Sequence, residues 1–166
     1  EIVTINWLLK MFGLPSKKGG GLFTSGGSIA NLTALVTARN KKCGEDFSKA
    51  RIYLSDQAHS SNVKAIRIMG FKKEQIRIIP TDSEFKFSVN KLKNAIARDR
   101  LEYFVPFCVI ASAGTTNTGT VDPLREIATI CKDENIWFHV DAAYGGAAIL
   151  SQQGKKLLNG IQKADS

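Results

Sequence analysis

From Phe104 to Ala111 the chain is apolar at nearly every position, as expected of a central parallel strand covered on both faces. Shorter runs at Arg51–Ser55, Ile76–Ile79 and Ile136–Asp141 read as further strands, the second stopped by Pro80. Helical spacing fills the intervals. Ile2, Ile5, Leu9 and Phe12 share one face of a first helix, Glu1 to Phe12, with Gly13 and Pro15 as stop signals. Further helices are predicted from Ile29 to about Arg39 with Ser28 as cap, from Asn62 to Met69 ended by Gly70, and from Asn90 to Asp99. Asp122 as cap and Pro123 at the first helical position open another that reaches about Glu134. A last helix covers Lys155 to Ile161. Leu22–Thr24 reads as a short extended piece, Ser16–Gly21 as a flexible connection and Asn40–Lys49 as a loop. This alternation predicts an α/β fold, mainly a parallel sheet with helices on both faces, with ligands bound beyond the carboxyl ends of the strands.

Composition narrows the class without changing that picture. With 166 residues, 43% apolar and 23% charged, the chain is long enough for one domain with its own core. No apolar run approaches the roughly 20 residues needed to span a bilayer, and Glu1–Thr4 is not a signal sequence, so no membrane partner is expected. The chain does not start with Met, which predicts further residues upstream. Cys43, Cys108 and Cys131 form no C-x-x-C pair, which fits a reducing, cytoplasmic setting. Neither histidine lies within ligand spacing of a cysteine, so no metal site is expected. The net charge of +8 is spread over short pairs such as Lys17-Lys18 and Lys72-Lys73. That scatter argues against nucleic acid and for a solvated surface or attraction for anionic ligands.

Chemistry concentrates in a few segments. Thr24-Ser25-Gly26-Gly27-Ser28 lies between a strand and a helix, where glycine-exposed N–H groups, the helix N-terminus and two hydroxyls make a phosphate cradle or an ordinary capped strand-helix turn. It matches neither the Walker nor the dinucleotide pattern. Asp141 ends an apolar strand and is followed by Ala142-Ala143-Tyr144-Gly145-Gly146. A carboxylate there can pair with a cationic ring nitrogen, hold a metal or cap a helix. His59, at the start of a helix, either stacks on a flat ligand or caps the turn. His139, two residues before Asp141, shares its face of the strand and reads as packing or support rather than catalysis. Ala113–Thr120, rich in threonine and glycine, follows the central strand. All these segments fall at the same ends of successive parallel strands, which points to one composite site.

Gly21–Leu32, Ser55-Asp56-Gln57-Ala58-His59-Ser60-Ser61, Ala113-Gly114-Thr115-Thr116 and His139–Tyr144 resemble the group II pyridoxal-phosphate-dependent amino-acid decarboxylases, in order and through nearly the whole chain. The resemblance implies the fold-type-I, aminotransferase-like large domain, of which residues 1–166 would be the central part, and a homodimer. It implies pyridoxal 5'-phosphate as cofactor and an amino acid as small-molecule substrate. Gly27 and Ser28 would hold the phosphate, His59 would stack on the pyridine face and assist proton transfer, and Thr116 would contact the cofactor. Asp141 would pair with the ring nitrogen and Ala143 would pack against the ring. His59 and Asp141 are thus the catalytic candidates. The family's reactive lysine follows a histidine a few residues beyond the Asp-Ser that matches Asp165-Ser166, and no lysine of this chain occupies that position. The chain alone is therefore expected to be inactive. Two other readings are open: a related lyase, such as a sphingosine-phosphate-lyase-like enzyme, and a non-catalytic cofactor-binding or dimerisation module. Tyr144 and the Thr-Asn-Thr-Gly turn lean towards an aromatic or diaminobutyrate-type substrate.

Overall fold

In a computed structural model, which describes residues 1–15 and 19–166, the apolar run becomes strand β3 (Val105–Ser112), buried at every position but the first. β1 (Ala50–Ser55) pairs parallel with β3 on one side and with β2 (Ile76–Ile79) on the other. β4 (Trp137–Asp141) pairs parallel with β3, giving the order β2-β1-β3-β4. Because β2 lies on one side of β1 while β3 and β4 lie on the other, the order reverses between β1 and β3. A crevice outside the carboxyl ends at such a switch point is where open α/β sheets bind ligands.

Alternation along the strands sorts the core into two layers. Ile52 and Leu54 of β1, with Cys108 and Ile110 of β3, pack against α2 (Gly27–Lys42) and α3 (Ser60–Ile68) through Leu35, Ala38, Ala65 and Ile66. Tyr53, Val109, Ala111, Phe138 and Val140 face the other way, onto α4 (Val89–Leu101) and α5 (Leu124–Asp133) through Leu92, Ile96, Leu124 and Ile127. Helices therefore cover both faces, as the pattern predicts. α1 (Ile2–Phe12) precedes this body and ends at Gly13, and α6 (Gln152–Leu157) follows it.

Local differences have local reasons. Ser28 does not cap α2; Gly26 does, with φ of +152°, a conformation that glycine tolerates best. Leu22–Thr24 forms no strand, and the backbone N–H of Phe23 instead donates to Glu1 Oε1 at 2.8 Å. The glycine-rich segment therefore does not follow a strand of this sheet. α2 runs on to Lys42 rather than ending near Arg39, because Asn40-Lys41-Lys42 contains no helix breaker. Asp122 does not cap α5, since both its carboxylate oxygens accept backbone N–H groups, from Phe87 at 2.9 Å and Ser112 at 2.7 Å. The helix starts one residue later, with Pro123 as cap. The final helix lies at Gln152–Leu157, ahead of the expected span, and a short 3-10 turn follows at Ile161–Lys163. Of the predicted flexible connection, residues 16–18 lie outside the described part. Among the described residues no helix is long and apolar enough to cross a membrane, and no cluster of three or more His, Cys, Asp or Glu side chains is arranged to hold a metal ion.

Candidate active site

At the carboxyl ends of β3 and β4 lies a cavity of about 280 Å³. Gly27, Ser28, His59, Thr116, Asp141 and Ala143, the six residues singled out from the sequence, all line it. Asn31, Ser61, Ser112, Gly114, Thr115 and Tyr144 complete the wall.

The α2 end of the cavity is a set of donors. The first N–H groups of a helix have no acceptor within it. Those of Ile29 and Ala30 turn back to Gly26 O, while Gly27 and Ser28, both exposed, begin the helix at the cavity mouth. A Cβ added at Gly27 would come within 3.1 Å of the Ala143 Cβ, so a larger residue would crowd the wall shared with the loop after β4. The positive end of the helix dipole and the Ser28 hydroxyl suit an anion such as a phosphate.

Asp141 is the acceptor. It is buried at the end of β4, where its Oδ2 accepts from Asn31 Nδ2 at 2.9 Å and Asn62 Nδ2 at 2.8 Å. Its Oδ1 accepts from Ala143 N–H at 3.2 Å. Three neutral donors satisfy a buried carboxylate only in part, because its two oxygens together offer about four lone-pair sites. No cationic side chain of the described residues forms an ion pair with it. The donor set thus fits a cationic N–H partner arriving from the cavity, as a protonated pyridine would be.

His59 serves as the cap that one of its sequence readings describes. It caps α3, its Nδ1 accepting from Ser61 N–H at 3.2 Å and lying 2.8 Å from Ser61 Oγ. The ring is also exposed and lines the cavity, leaving a face for a flat ligand. Thr116 is likewise exposed, on the loop after β3. That loop is stiffened by Thr115 and Thr118, whose hydroxyls lie 2.7 Å apart, and by an antiparallel bridge between Ala113 and Val121.

Asn31 and Asn62 were not foreseen. Asn31 lies four residues after Gly27 on α2 and so shares its helix face, a signal that could have drawn attention to it. Asn62 carries no such mark. His139 falls on the Asp141 face of β4, as alternation predicts, with Nε2 3.2 Å from Asn31 Oδ1.

Burial pushes His139 down to about 4, the charge of Asp141 opposing it, while burial pushes Asp122 up to about 6 against its backbone hydrogen bonds. The two act on stability in opposite directions. Folded His139 binds a proton less readily than in the unfolded chain, so its contribution is complete above the ordinary value of 6.5 and is lost as pH falls towards 4. The Asp122 contribution is complete below its ordinary 3.8 and is lost as pH rises through 6. The total is therefore nearly level, and the difference between wild type and His139→Gln isolates the histidine. Urea unfolding should show that difference moving by about 3 kcal/mol in favour of the wild type from pH 4 to 6.5. A pH-independent difference would contradict the neutral, buried imidazole.

A family model described as the pyridoxal-dependent decarboxylase conserved domain matches residues 1–166. The chain is 51% identical over 166 residues to an aromatic-L-amino-acid decarboxylase of Bacillus atrophaeus, covering all of this chain and 34% of that protein. It is similar to the structure of 4-hydroxyphenylacetaldehyde synthase from Rhodiola rosea, with a TM-score of 0.92 and 35% identity over 99% of this chain and 38% of that one. The glutamate decarboxylase domain of a diaminobutyrate-pyruvate transaminase and L-2,4-diaminobutyrate decarboxylase from Vibrio parahaemolyticus gives a TM-score of 0.91 at 32% identity, over 99% of this chain and 38% of that one. The chain spans about a third of the length of the curated relatives it matches.

Proposed function

The chain belongs to the pyridoxal-dependent decarboxylase family, and on that premise we propose that it is the central part of the cofactor-binding large domain of an enzyme that releases carbon dioxide from an amino acid. The observation that carries the reading is the Asp141 carboxylate, buried on three neutral donors with acceptor capacity left, in the same cavity as the α2 N-terminus and His59.

Pyridoxal phosphate, when bound, supplies a conjugated cationic ring that takes up the electron pair released as the bond to the substrate carboxylate breaks. The remaining work belongs to the protein. Gly27 and Ser28 bind the phosphate at the helix end and fix the position of the ring. His59 would stack on the ring and Ala143 would pack against it, both from the wall of the cavity. Thr116 contacts the cofactor from the loop after β3. Asp141 holds the proton on the ring nitrogen, so the ring keeps its charge. His59 would be the side chain that assists proton transfer.

For substrate we favour an aromatic L-amino acid. Tyr144, two-thirds exposed, adds an aromatic wall to the cavity, and the Bacillus relative carries that activity in its name. A homodimer would cover the exposed Ile2, Val3 and Trp7 of α1. Among the described residues no lysine lines the cavity, which supports a covalent anchor for the cofactor supplied from outside this stretch.

Full-length protein supplied with pyridoxal phosphate should release carbon dioxide from aromatic L-amino acids in preference to acidic ones. The 166-residue chain alone should release none and give no borohydride-stable cofactor adduct on any one lysine. Failure of the full-length protein on every amino acid of a broad panel would overturn the reading. Cleavage of a different bond would favour another lyase.

A further inference from the structure

One face of β4 carries a continuous line of hydrogen bonds that ends on Asp141. Trp137 Nε1–H donates to Ser166 Oγ at 2.8 Å. Ser166 Oγ lies 3.0 Å from His139 Nδ1, and His139 Nε2 lies 3.2 Å from Asn31 Oδ1. Asn31 Nδ2 then donates to Asp141 Oδ2 at 2.9 Å and to Ser61 Oγ at 3.2 Å. Trp137, His139 and Asp141 fall on this one face because side chains alternate along a strand.

The ends of the line decide its direction. An indole N–H only donates, and an ionised carboxylate only accepts. The three groups between them can each do both, so the line has one unfrustrated polarity. Ser166 accepts from Trp137 and donates to Nδ1; His139 carries its proton on Nε2 and donates to Asn31 Oδ1; the Asn31 amide turns its NH₂ towards Asp141. Reversing His139 would turn the amide round and set the carbonyl oxygen of Asn31 against the carboxylate. His139 and Asn31 are both buried, which makes a mispaired polar group here costly.

We propose that His139 is a positioning residue, which through Asn31 holds the Asp141 carboxylate in the orientation that accepts the ring-nitrogen proton of the cofactor. The proposal rests on the role given to Asp141 above. It assigns a task to a histidine that touches neither the cavity nor the cofactor.

Binding to the full-length protein freed of cofactor tests it. The probes are pyridoxal phosphate and its deaza analogue, in which the ring nitrogen is replaced by CH. Asp141→Ala should remove the preference for the natural cofactor; if it does not, the Asp141 reading fails, and this proposal with it. If it does, His139→Phe should lower the same preference about tenfold, the worth of roughly one hydrogen bond to a charged group. His139→Gln, which can accept from Ser166 and donate to Asn31, should restore most of it. A merely structural role would weaken both probes alike, and an unchanged or equal response in His139→Phe overturns the proposal. Should that variant fail to fold, nitrogen NMR of the unsubstituted apo-protein decides: Nε2 protonated and Nδ1 bare near neutral pH is the expected state. A proton on Nδ1 refutes the line as drawn.

Discussion

Replacing Asp141 by alanine in the full-length protein is expected to lower turnover by at least about a hundredfold, the loss seen when one preorganised electrostatic group is removed from a reacting centre. Two effects add. On the proposed reading the ring nitrogen would lose the partner that keeps its proton in place, and electron release from the substrate would no longer be matched by a cationic ring. Asn31 and Asn62 also lose the carboxylate oxygen that both of them donate to at 2.8–2.9 Å, and buried amide donors are left without an acceptor. The measurement is carbon dioxide release at saturating cofactor, with circular dichroism and cofactor binding followed in parallel. Asp141→Asn separates the two effects. It keeps the volume of the side chain and an oxygen that can accept from Asn31 and Asn62, but it lacks the charge that holds the ring-nitrogen proton, and it should be nearly as inactive. Near-normal turnover in either variant would refute the ring-nitrogen role.

The second large effect is on stability, away from the cavity. Asp99 of α4 is only 1% exposed and gathers three side chains of the sheet. Tyr53 Oη donates to its Oδ2 at 2.7 Å, Arg77 Nε lies 3.0 and 3.1 Å from its two oxygens, and Arg51 Nε approaches Oδ1 at 3.9 Å. Arg51 also stacks on Phe104, its guanidinium carbon 3.4 Å from the ring centroid. The carboxylate is therefore the pin between α4 and strands β1 and β2. Burial lowers Arg51, the charge of Arg77 adds to that, and the charge of Asp99 opposes both. Asp99→Ala would leave two guanidinium groups facing one another and the Tyr53 hydroxyl without its acceptor. Truncating one partner of a buried ion pair costs about 3–5 kcal/mol, a large part of the roughly 5–15 kcal/mol that holds a domain together. Urea unfolding of the variant should show a loss in that range. A loss below about 1 kcal/mol would mean that solvent reaching Arg77, whose side chain is 33% exposed, carries most of the charge balance.

Much of this protein could be read along the chain because the signals are local. Runs of apolar residues, glycine and proline stops, and period-two or helical spacing depend on neighbours in sequence, and they located the four strands and six α-helices of the described residues to within a few residues. Gly27, Ser28, His59 and Asp141 were legible for the same reason, each in a short segment at the end of a strand or the start of a helix where glycine, hydroxyl, histidine or carboxylate side chains cannot be explained by core packing. Thr116 and Ala143 entered through the family resemblance alone.

Only the tertiary structure decided who meets whom. Ser28 and Asp122 looked like helix caps, and neither serves as one. Gly26 takes the capping position of α2, and Asp122 is drawn off by N–H groups of Phe87 and Ser112, 35 and 10 residues away. Asn31 and Asn62 look unremarkable inside helices α2 and α3. They become partners of Asp141 because the sheet brings together residues 110 and 79 positions apart. The sequence alone determined which elements form and which segments carry chemistry, since those depend on local pattern. The hydrogen-bond partners that orient Asp141 were decided by the packing of α2 and α3 on one face of the sheet, because the requirement that buried polar groups be satisfied acts only once distant parts of the chain have come together.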